Sequence, residues 1–505
     1  MKEKNKKKKK ESLTAFSIIM IVLALVCLSS LFIKGAKIND AIILELNKDK
    51  YAELINQVES GNPVRVKSAQ ISDFIMAIPR GFIDAADLIF FIIAVGGFIE
   101  LMMKTGALEA GINRLISKMQ GSENKLIITL MSLFSLGGTT YGMGEEAIGF
   151  YPLLTTTMVA AGFDSLVGIA TILWGCTAGT MGSTLNPFST GAAMSALSSV
   201  GIEPDTNLVM LVGAIIWLVT IIVAIVFVNR YAKKLLKDKS KSALTDQELE
   251  LMHKSFDSKN DDDVEFNKKH KRVLFVFAIG FAIMILSLIS YEDLFFAGNR
   301  AGFEKFFSWT RFLTGEYFGK WYFKDLGAWF VVMSVGVSLV AGLSEKEFMD
   351  TFIKGAQGII SVGIILAIAR GVSIVMADTH MDFYILDRAS KLLSGMPGFV
   401  FVPLSYIIFM FVGILVPSSS GLAALSIPVM GPLASALGFN PNIMIGIFTA
   451  GLGSTLLLAP TSPMLMAGLE LSKIEYGSYL KWAIKYVITI AIIHIIILSI
   501  AIYIL

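Results

Sequence analysis

Long apolar runs, each closed by charged residues or broken by glycine and proline, organise this chain from end to end. Runs of near-spanning length cover residues 14–33, 86–103, 208–228, 273–290, 326–342, 359–377, 400–416, 443–458 and 479–500. A bilayer core is crossed by about 20 apolar residues in helical form, so each run predicts a membrane helix and the chain reads as an all-α polytopic membrane protein. Between them lie shorter apolar pieces interrupted by Gly and Pro.

Composition agrees. Of 505 residues, 54% are hydrophobic and 16% charged, against about 25% charged in soluble domains. The first run follows a lysine-rich start (Lys2, Lys4 and Lys6 to Lys10) but is about 20 residues long, and Ile33-Lys34-Gly35-Ala36-Lys37 lacks a small-residue cleavage site, so it reads as an uncleaved first span and not a secretory signal. The two cysteines, Cys27 and Cys176, both lie in apolar segments, which excludes a disulfide framework or a cysteine metal site. No Walker A loop, His-Glu-x-x-His motif or dinucleotide glycine fingerprint occurs. No enzyme activity, catalytic residue, metal or cofactor is therefore expected, and ATP-driven transport by this chain alone is not.

Charge distribution sets the topology. Lys6 to Lys10 place residues 1–13 in the cytoplasm by the positive-inside bias. Residues 229–272 carry basic clusters at both membrane-proximal ends (Arg230, Lys233, Lys234, Lys237; Lys268, Lys269, Lys271, Arg272) and join them, so this segment is also cytoplasmic. Its centre, residues 240–265, is polar and contains Asp261-Asp262-Asp263, the composition of a flexible linker. Residues 34–73 and 291–325 balance acids and bases and suit the outside. The expected organisation is a basic N-terminus (1–13), a first helix with an external loop (14–73), a first transmembrane repeat (74–228), the linker (229–272) and a second transmembrane half (273–505), in a multi-pass protein of the cell membrane.

Sliding the second half against the first by 276 positions brings Gly137 onto Gly413, Pro152 onto Pro428, Gly162-Phe163 onto Gly438-Phe439, Gly175 onto Gly451 and Pro187 onto Pro463 without a gap. Residues 86–103 run from the outside to a basic loop (Lys104, Arg114, Lys118, Lys125), whereas their counterparts 362–379 run outward, so the repeats are inverted. Inverted repeats with paired broken helices are a signature of secondary transporters, with substrate bound at the repeat interface.

Irregular backbone at membrane depth survives only where it is buried in protein or lines a water-filled cavity. Four such regions occur: 137–146 and 182–191 in the first copy, 417–421 and 460–463 in the second. The first of each pair reads as a re-entrant hairpin tip and the second as an unwound point in a spanning helix. Their Ser, Thr and Asn side chains and free helix N-termini provide ligands, although such clusters also let helices pack closely without any ligand. The substrate-binding candidates are Thr139, Thr140, Glu145 and Glu146; Ser183, Thr184 and Asn186; Ser418, Ser419 and Ser420; Thr461 and Ser462; and Arg370, a cation inside an apolar span.

Glu145 and Glu146 stand out, because an ionised side chain at the bilayer centre costs about 2.5–3.5 kcal/mol on insertion scales. Their counterparts, Gly421 and Leu422, are uncharged, so acid lines one wall only and suits a substrate with a cationic end. A proton-carrying carboxyl is the competing account. Neighbouring helix residues point about 100° apart, so one of the two faces substrate, with Glu146 slightly favoured over Glu145. Arg370 either clamps a substrate carboxylate or pairs with an acid such as Glu145, Asp378 or Glu100. Asp378, His380 and Asp382 fall at a helix end, where solvated or capping roles are expected, and His494 reads as a packed, hydrogen-bonded residue.

The stretches Gly137 to Leu154 (GGTTYGMGEEAIGFYPLL), Gly182 to Gly191 (GSTLNPFSTG) and Val416 to Leu425 (VPSSSGLAAL) resemble the YfcC family, which is related to the anaerobic dicarboxylate carriers of the ion transporter superfamily. The likeness covers roughly residues 74–485. It implies an inner scaffold, a mobile transport domain and elevator-type alternating access. Members include arginine/ornithine antiporters, and the family has also been described as carriers of four-carbon dicarboxylates. An acidic wall disfavours a dianion, so arginine/ornithine exchange is the leading expectation, with proton- or sodium-coupled transport of dicarboxylates or another organic anion as the alternative. The expected partners are a small-molecule substrate (amino acid or organic acid), the lipid bilayer and a second copy in a homodimer, with no nucleic acid. The lysine-rich extension, the Asp-rich linker and the weakly polar stretch 453–463 depart from the family pattern.

Overall fold

The computed structural model describes residues 15–46, 48–107, 110–111, 123–256, 267–288, 291–296 and 299–505. The lysine run at 6–10, Arg114 and Lys118 of the basic loop, and Asp261 to Asp263 lie outside the described residues. Among those described, nine helices are long and apolar enough to cross a membrane. Seven coincide with expected runs, whereas Ser165–Gly182 and Ser419–Ala436 fall outside them because Gly, Ser and Thr dilute their hydropathy. The runs at 14–33 and 443–458 form helices that fall short of that length.

One group of helices comprises α1 (Ala15–Phe32), α2 (Ile71–Asp84), α3 (Ala86–Lys104), α10 (Lys268–Leu288), α11 (Phe323–Ala341), α12 (Glu345–Gln357) and α13 (Ile360–Asp378). The other comprises α4 (Glu123–Tyr141), α5 (Tyr151–Ala160), α6 (Ser165–Gly182), α7 (Ala192–Ser198) and α8 (Thr206–Lys237), with α15 (Gly398–Leu415), α16 (Ser419–Ala436), α17 (Pro441–Leu456), α18 (Pro463–Leu471) and α19 (Tyr476–Ile504). Two connecting helices are α9 (Asp246–Phe256) in the linker and α14 (Met381–Leu393) before α15, and shorter helices Asp40–Leu44, Lys48–Glu59, Tyr291–Phe295 and Arg300–Phe307 occupy the segments 34–73 and 291–325.

Small residues bring the helices close, as expected where lipid tails supply no hydrophobic drive for helix association. A Cβ on Gly179 would lie 2.2 Å from the Ser135 carbonyl, and one on Gly138 2.2 Å from the Cys176 carbonyl, so glycines on both sides set the α4–α6 crossing. In the first group, a Cβ on Gly81 of α2 would lie 2.0 Å from the Ala367 carbonyl of α13.

The two repeats are visible element by element. The turns before α6 and α17 both use a glycine with positive φ, Gly162 (+89°) and Gly438 (+77°). The next helices then begin at Asp164 and Asn440, again 276 apart, whose side chains accept backbone N–H groups of the first turn. These caps lie on opposite faces of the protein. Asp164 accepts hydrogen bonds from Tyr231 and from Ser242 at the start of the linker, whereas Asn440 donates to the carbonyl of Leu505 at the far end of α19. The near end of α19 touches the linker through Glu248, and its 29 residues span about 43 Å. The copies therefore run in opposite senses.

The described part of the linker departs from expectation. Residues 246–256 form a helix that is docked on the second group rather than flexible. Glu248, 1% exposed, accepts from the Glu475 amide (2.8 Å), the Ser478 hydroxyl (2.9 Å) and both the amide and hydroxyl of Thr245 (2.7 Å each). It thus satisfies donors at the N-terminus of α19 that the helix cannot satisfy itself. Asp164, 3% exposed, holds the other end of the strap. Two buried acids are stable here because each accepts several hydrogen bonds.

Candidate functional site

The four irregular regions exist, with shifted boundaries. Helix α4 continues to Tyr141, so Thr139 and Thr140 sit on its last turn and not in an open loop. The turn itself is Gly142–Gly144, where Gly142 has φ +79°, and a 3₁₀ helix, Glu145–Phe150, follows. The first break begins at Ser183, a non-glycine residue at φ +43°, and leads into a π-helical turn, Pro187–Gly191. In the second half the tip precedes α16, placing Ser419 and Ser420 in its first turn, and the break runs from Leu457 to Ser462.

Most of the expected hydroxyl and amide ligands are occupied by the protein itself. Thr139 and Thr184 join the first tip to the first break: their hydroxyls are 2.9 Å apart, the Thr184 amide donates to the Thr139 hydroxyl (3.1 Å), and the Leu185 amide donates to the Thr139 carbonyl (3.0 Å). Asn186 accepts from the Phe188 and Ser189 amides and donates to the Ser183 hydroxyl, which itself donates to the Thr180 carbonyl. Thr140 donates to Leu136 O (2.6 Å) and Thr461 to Ile414 O (2.6 Å). Ser418 caps α16 and Ser462 caps α18 through their hydroxyls. These bonds satisfy backbone groups that unwinding leaves unpaired.

What stays open is charged or sits at the second tip. Glu146 accepts from the Gly144 amide (3.0 Å), folding back on its own turn. Among the described residues no cation lies within ion-pair distance of either Glu145 or Glu146, and the Glu145 side chain has no hydrogen-bond partner among them. Ser419 is half-buried and Ser420 exposed at the amide end of α16.

Arg370 pairs with none of the acids expected for it. Its Nε lies 3.8 Å from Asp84, while Asp378 pairs with Arg80 (2.5 Å) and Glu100 with Lys354 (2.6 Å). One turn further along α13, Ser373 donates to the carbonyl of Leu415 (3.2 Å), the last residue of α15 before the second tip. Asp378 thus takes a partly exposed ion pair, and His380 contacts the Arg65 carbonyl (3.2 Å). His494 is buried as expected, between Thr220 (2.7 Å) and Tyr406 (3.1 Å).

Two acids and one aromatic escaped the sequence reading. The charges of Glu145, Glu146, Arg370 and Asp87 reach the hydroxyl of Tyr322, the residue before α11, through space, although no ion pair or hydrogen bond joins any of them to it. Asp84 joins them through Arg370. The available signal was Asp84-x-x-Asp87, two acids where the first repeat enters its apolar run.

Comparison with known proteins decides the family, since residues 13–503 match that of the C4-dicarboxylate anaerobic carrier, DcuC. The chain belongs to the DcuC family. An uncharacterized protein of Haemophilus influenzae is 33% identical over 415 residues, 82% of this chain and 74% of that one. The Escherichia coli protein named "Putative basic amino acid antiporter YfcC" is 25% identical over 411 residues, 79% of this chain and 74% of that one, in keeping with the YfcC motifs. Two solved structures are similar at 14% identity: the YdaH transporter of Alcanivorax borkumensis (TM-score 0.44, covering 97% of this chain and 98% of that one) and MtrF of Neisseria gonorrhoeae (TM-score 0.43, 98% and 96%). This DcuC-family member is a secondary transporter and not an enzyme, built as a multi-pass protein of the cell membrane.

Proposed function

We propose that this transporter exchanges basic amino acids, arginine entering as ornithine leaves. The observation that carries the reading is the carboxylate of Glu145, half-buried at the first tip and met by no cation or side-chain hydrogen bond among the described residues, while Arg370 is turned to Asp84 at 3.8 Å. A dianion entering that field is repelled, whereas a cationic side chain is attracted and desolvated at smaller net cost. Glu145, uncommitted within its own turn, takes the substrate's cationic end. Arg370 and the amide end of α16 with Ser418, Ser419 and Ser420 take its α-carboxylate. Glu146 shapes the turn, and Thr139, Thr184, Ser183, Asn186, Thr461 and Ser462 hold the two breaks in place. The name carried by the YfcC relative supports the same substrate class.

In this reading the linker face is cytoplasmic, and the second helix group slides against the first in an elevator-type cycle. Association of two copies belongs to the same proposal. The alternative, a dicarboxylate carrier coupled to protons or sodium, draws on Arg370 with the serine-lined second tip and on the family's description. Proteoliposomes loaded with ornithine and given radiolabelled arginine separate the two. Uptake that is indifferent to internal ornithine defeats the exchange, and competition by succinate but not by ornithine selects the alternative.

A further inference from the structure

Tyr322 is fixed to the first helix group by the cap of α11. Its amide donates to Asp325 (3.1 Å), its carbonyl accepts from Asp325 and Leu326, and the next residue, Phe323, packs on Phe91 of α3 at 5.8 Å between ring centroids. One turn along α3 from Phe91, Val95 abuts the hairpin tip, where a Cβ on Gly149 would lie 3.0 Å from its side chain. The Tyr322 ring also meets Phe188 (6.4 Å, tilted 45°), which belongs to the other group. Phe188 is held by its amide bond to Asn186, whose side chain packs against Gly142 of the same tip. Tyr322 and Phe188 are each 47% exposed, so two aromatic faces from different helix groups are left open next to the tip that carries Glu145 and Glu146, which Asn186 touches at Gly142.

We infer that Tyr322 and Phe188 form an aromatic wall of the substrate site that selects a planar guanidinium over a compact ammonium. The inference rests on the basic amino-acid reading above. A guanidinium held between a carboxylate and an aromatic face stacks as well as pairs, which an ammonium does less well. Because each group of helices contributes one ring, the wall is whole only when the two groups stand in register. In that register arginine gains a stacking contact that ornithine or lysine makes less well.

The test is competition binding of arginine and lysine to purified wild-type protein and to Tyr322→Leu, Tyr322→Phe and Phe188→Leu, with thermal unfolding as a control for folding. The expected result is about a tenfold loss of arginine affinity in Tyr322→Leu, at most about threefold for lysine, and near wild-type behaviour in Tyr322→Phe, which keeps the ring. Phe188→Leu should narrow the arginine-to-lysine ratio in the same direction. An unchanged ratio in a folded Tyr322→Leu variant overturns the wall alone. A wild-type protein that binds neither amino acid overturns the functional reading and the wall with it.

Discussion

Replacing Glu145 by glutamine removes one charge while keeping the size and hydrogen-bonding shape of the side chain. Two unit charges 4 Å apart interact by about 4 kcal/mol at the effective dielectric typical of protein surfaces. Glu145 is only half-buried, so solvent screening brings its net contribution nearer about 2 kcal/mol. At about 1.4 kcal/mol per tenfold, KM for arginine should rise about 30-fold. Citrulline, which carries no side-chain charge, should bind Glu145→Gln and wild type equally, separating lost charge from a distorted tip. Glu146→Gln is the matched comparison. A glutamine carbonyl there still accepts from the Gly144 amide, so its effect on arginine should be several times smaller. The assay is arginine uptake into ornithine-loaded proteoliposomes, with citrulline tested by competition. Wild-type KM in a folded Glu145→Gln variant would refute the assignment of the cation to this carboxylate.

Further expectations follow from the packing and the caps. Asp164→Ala removes the N-cap of α6 together with its bonds to Tyr231 and Ser242, and should destabilise the detergent-solubilised protein by about 2–4 kcal/mol, read as a lowered melting temperature. Gly179→Val drives a side chain into the Ser135 carbonyl at the α4–α6 crossing and should abolish folded protein in size-exclusion profiles. Gly336→Ala, whose Cβ meets only Val276 at 3.7 Å, should leave those profiles unchanged. Burial, and secondarily Lys67, lower the pKa of His380 from its ordinary value, so between its folded value and about 6.5 the unfolded chain binds more protons. Its contribution to stability is therefore full above about pH 6.5 and declines as pH falls through that window. His380→Asn, which tolerates the left-handed backbone at φ 58°, should flatten that part of the melting-temperature profile.

Seven of the nine described spans, the four breaks and the repeat were legible in the chain because each is local, whereas Ser165–Gly182 and Ser419–Ala436, rich in small and hydroxyl residues, were not. Hydropathy over 20 residues marks a membrane helix, glycine and proline mark broken helix, and a constant spacing exposes a duplication such as Gly162-Phe163 and Gly438-Phe439. The roles of the hydroxyls were not legible. Thr139 and Thr184 look like ligands in a one-dimensional reading, since nothing there says that unwound backbone at position 185 will claim the Thr139 carbonyl. The helix at 246–256 likewise reads as flexible linker from its polarity alone, because Glu248 finds donors more than 200 residues away, at the start of α19.

Sequence alone thus determined that this is an inverted-repeat membrane transporter with acid on one side of its paired tips. Hydrophobic length, backbone breaks and charge identity are properties of short segments, and they survive without knowledge of the fold. Tertiary structure alone decided which charges meet. Arg370 faces Asp84 and not Glu145, Glu146 turns back to Gly144, and Tyr322 from a distant loop stands beside the tip with Phe188. Those outcomes depend on the angle at which each side chain leaves its helix and on how closely glycines let the helices cross, and no spacing along the chain encodes either.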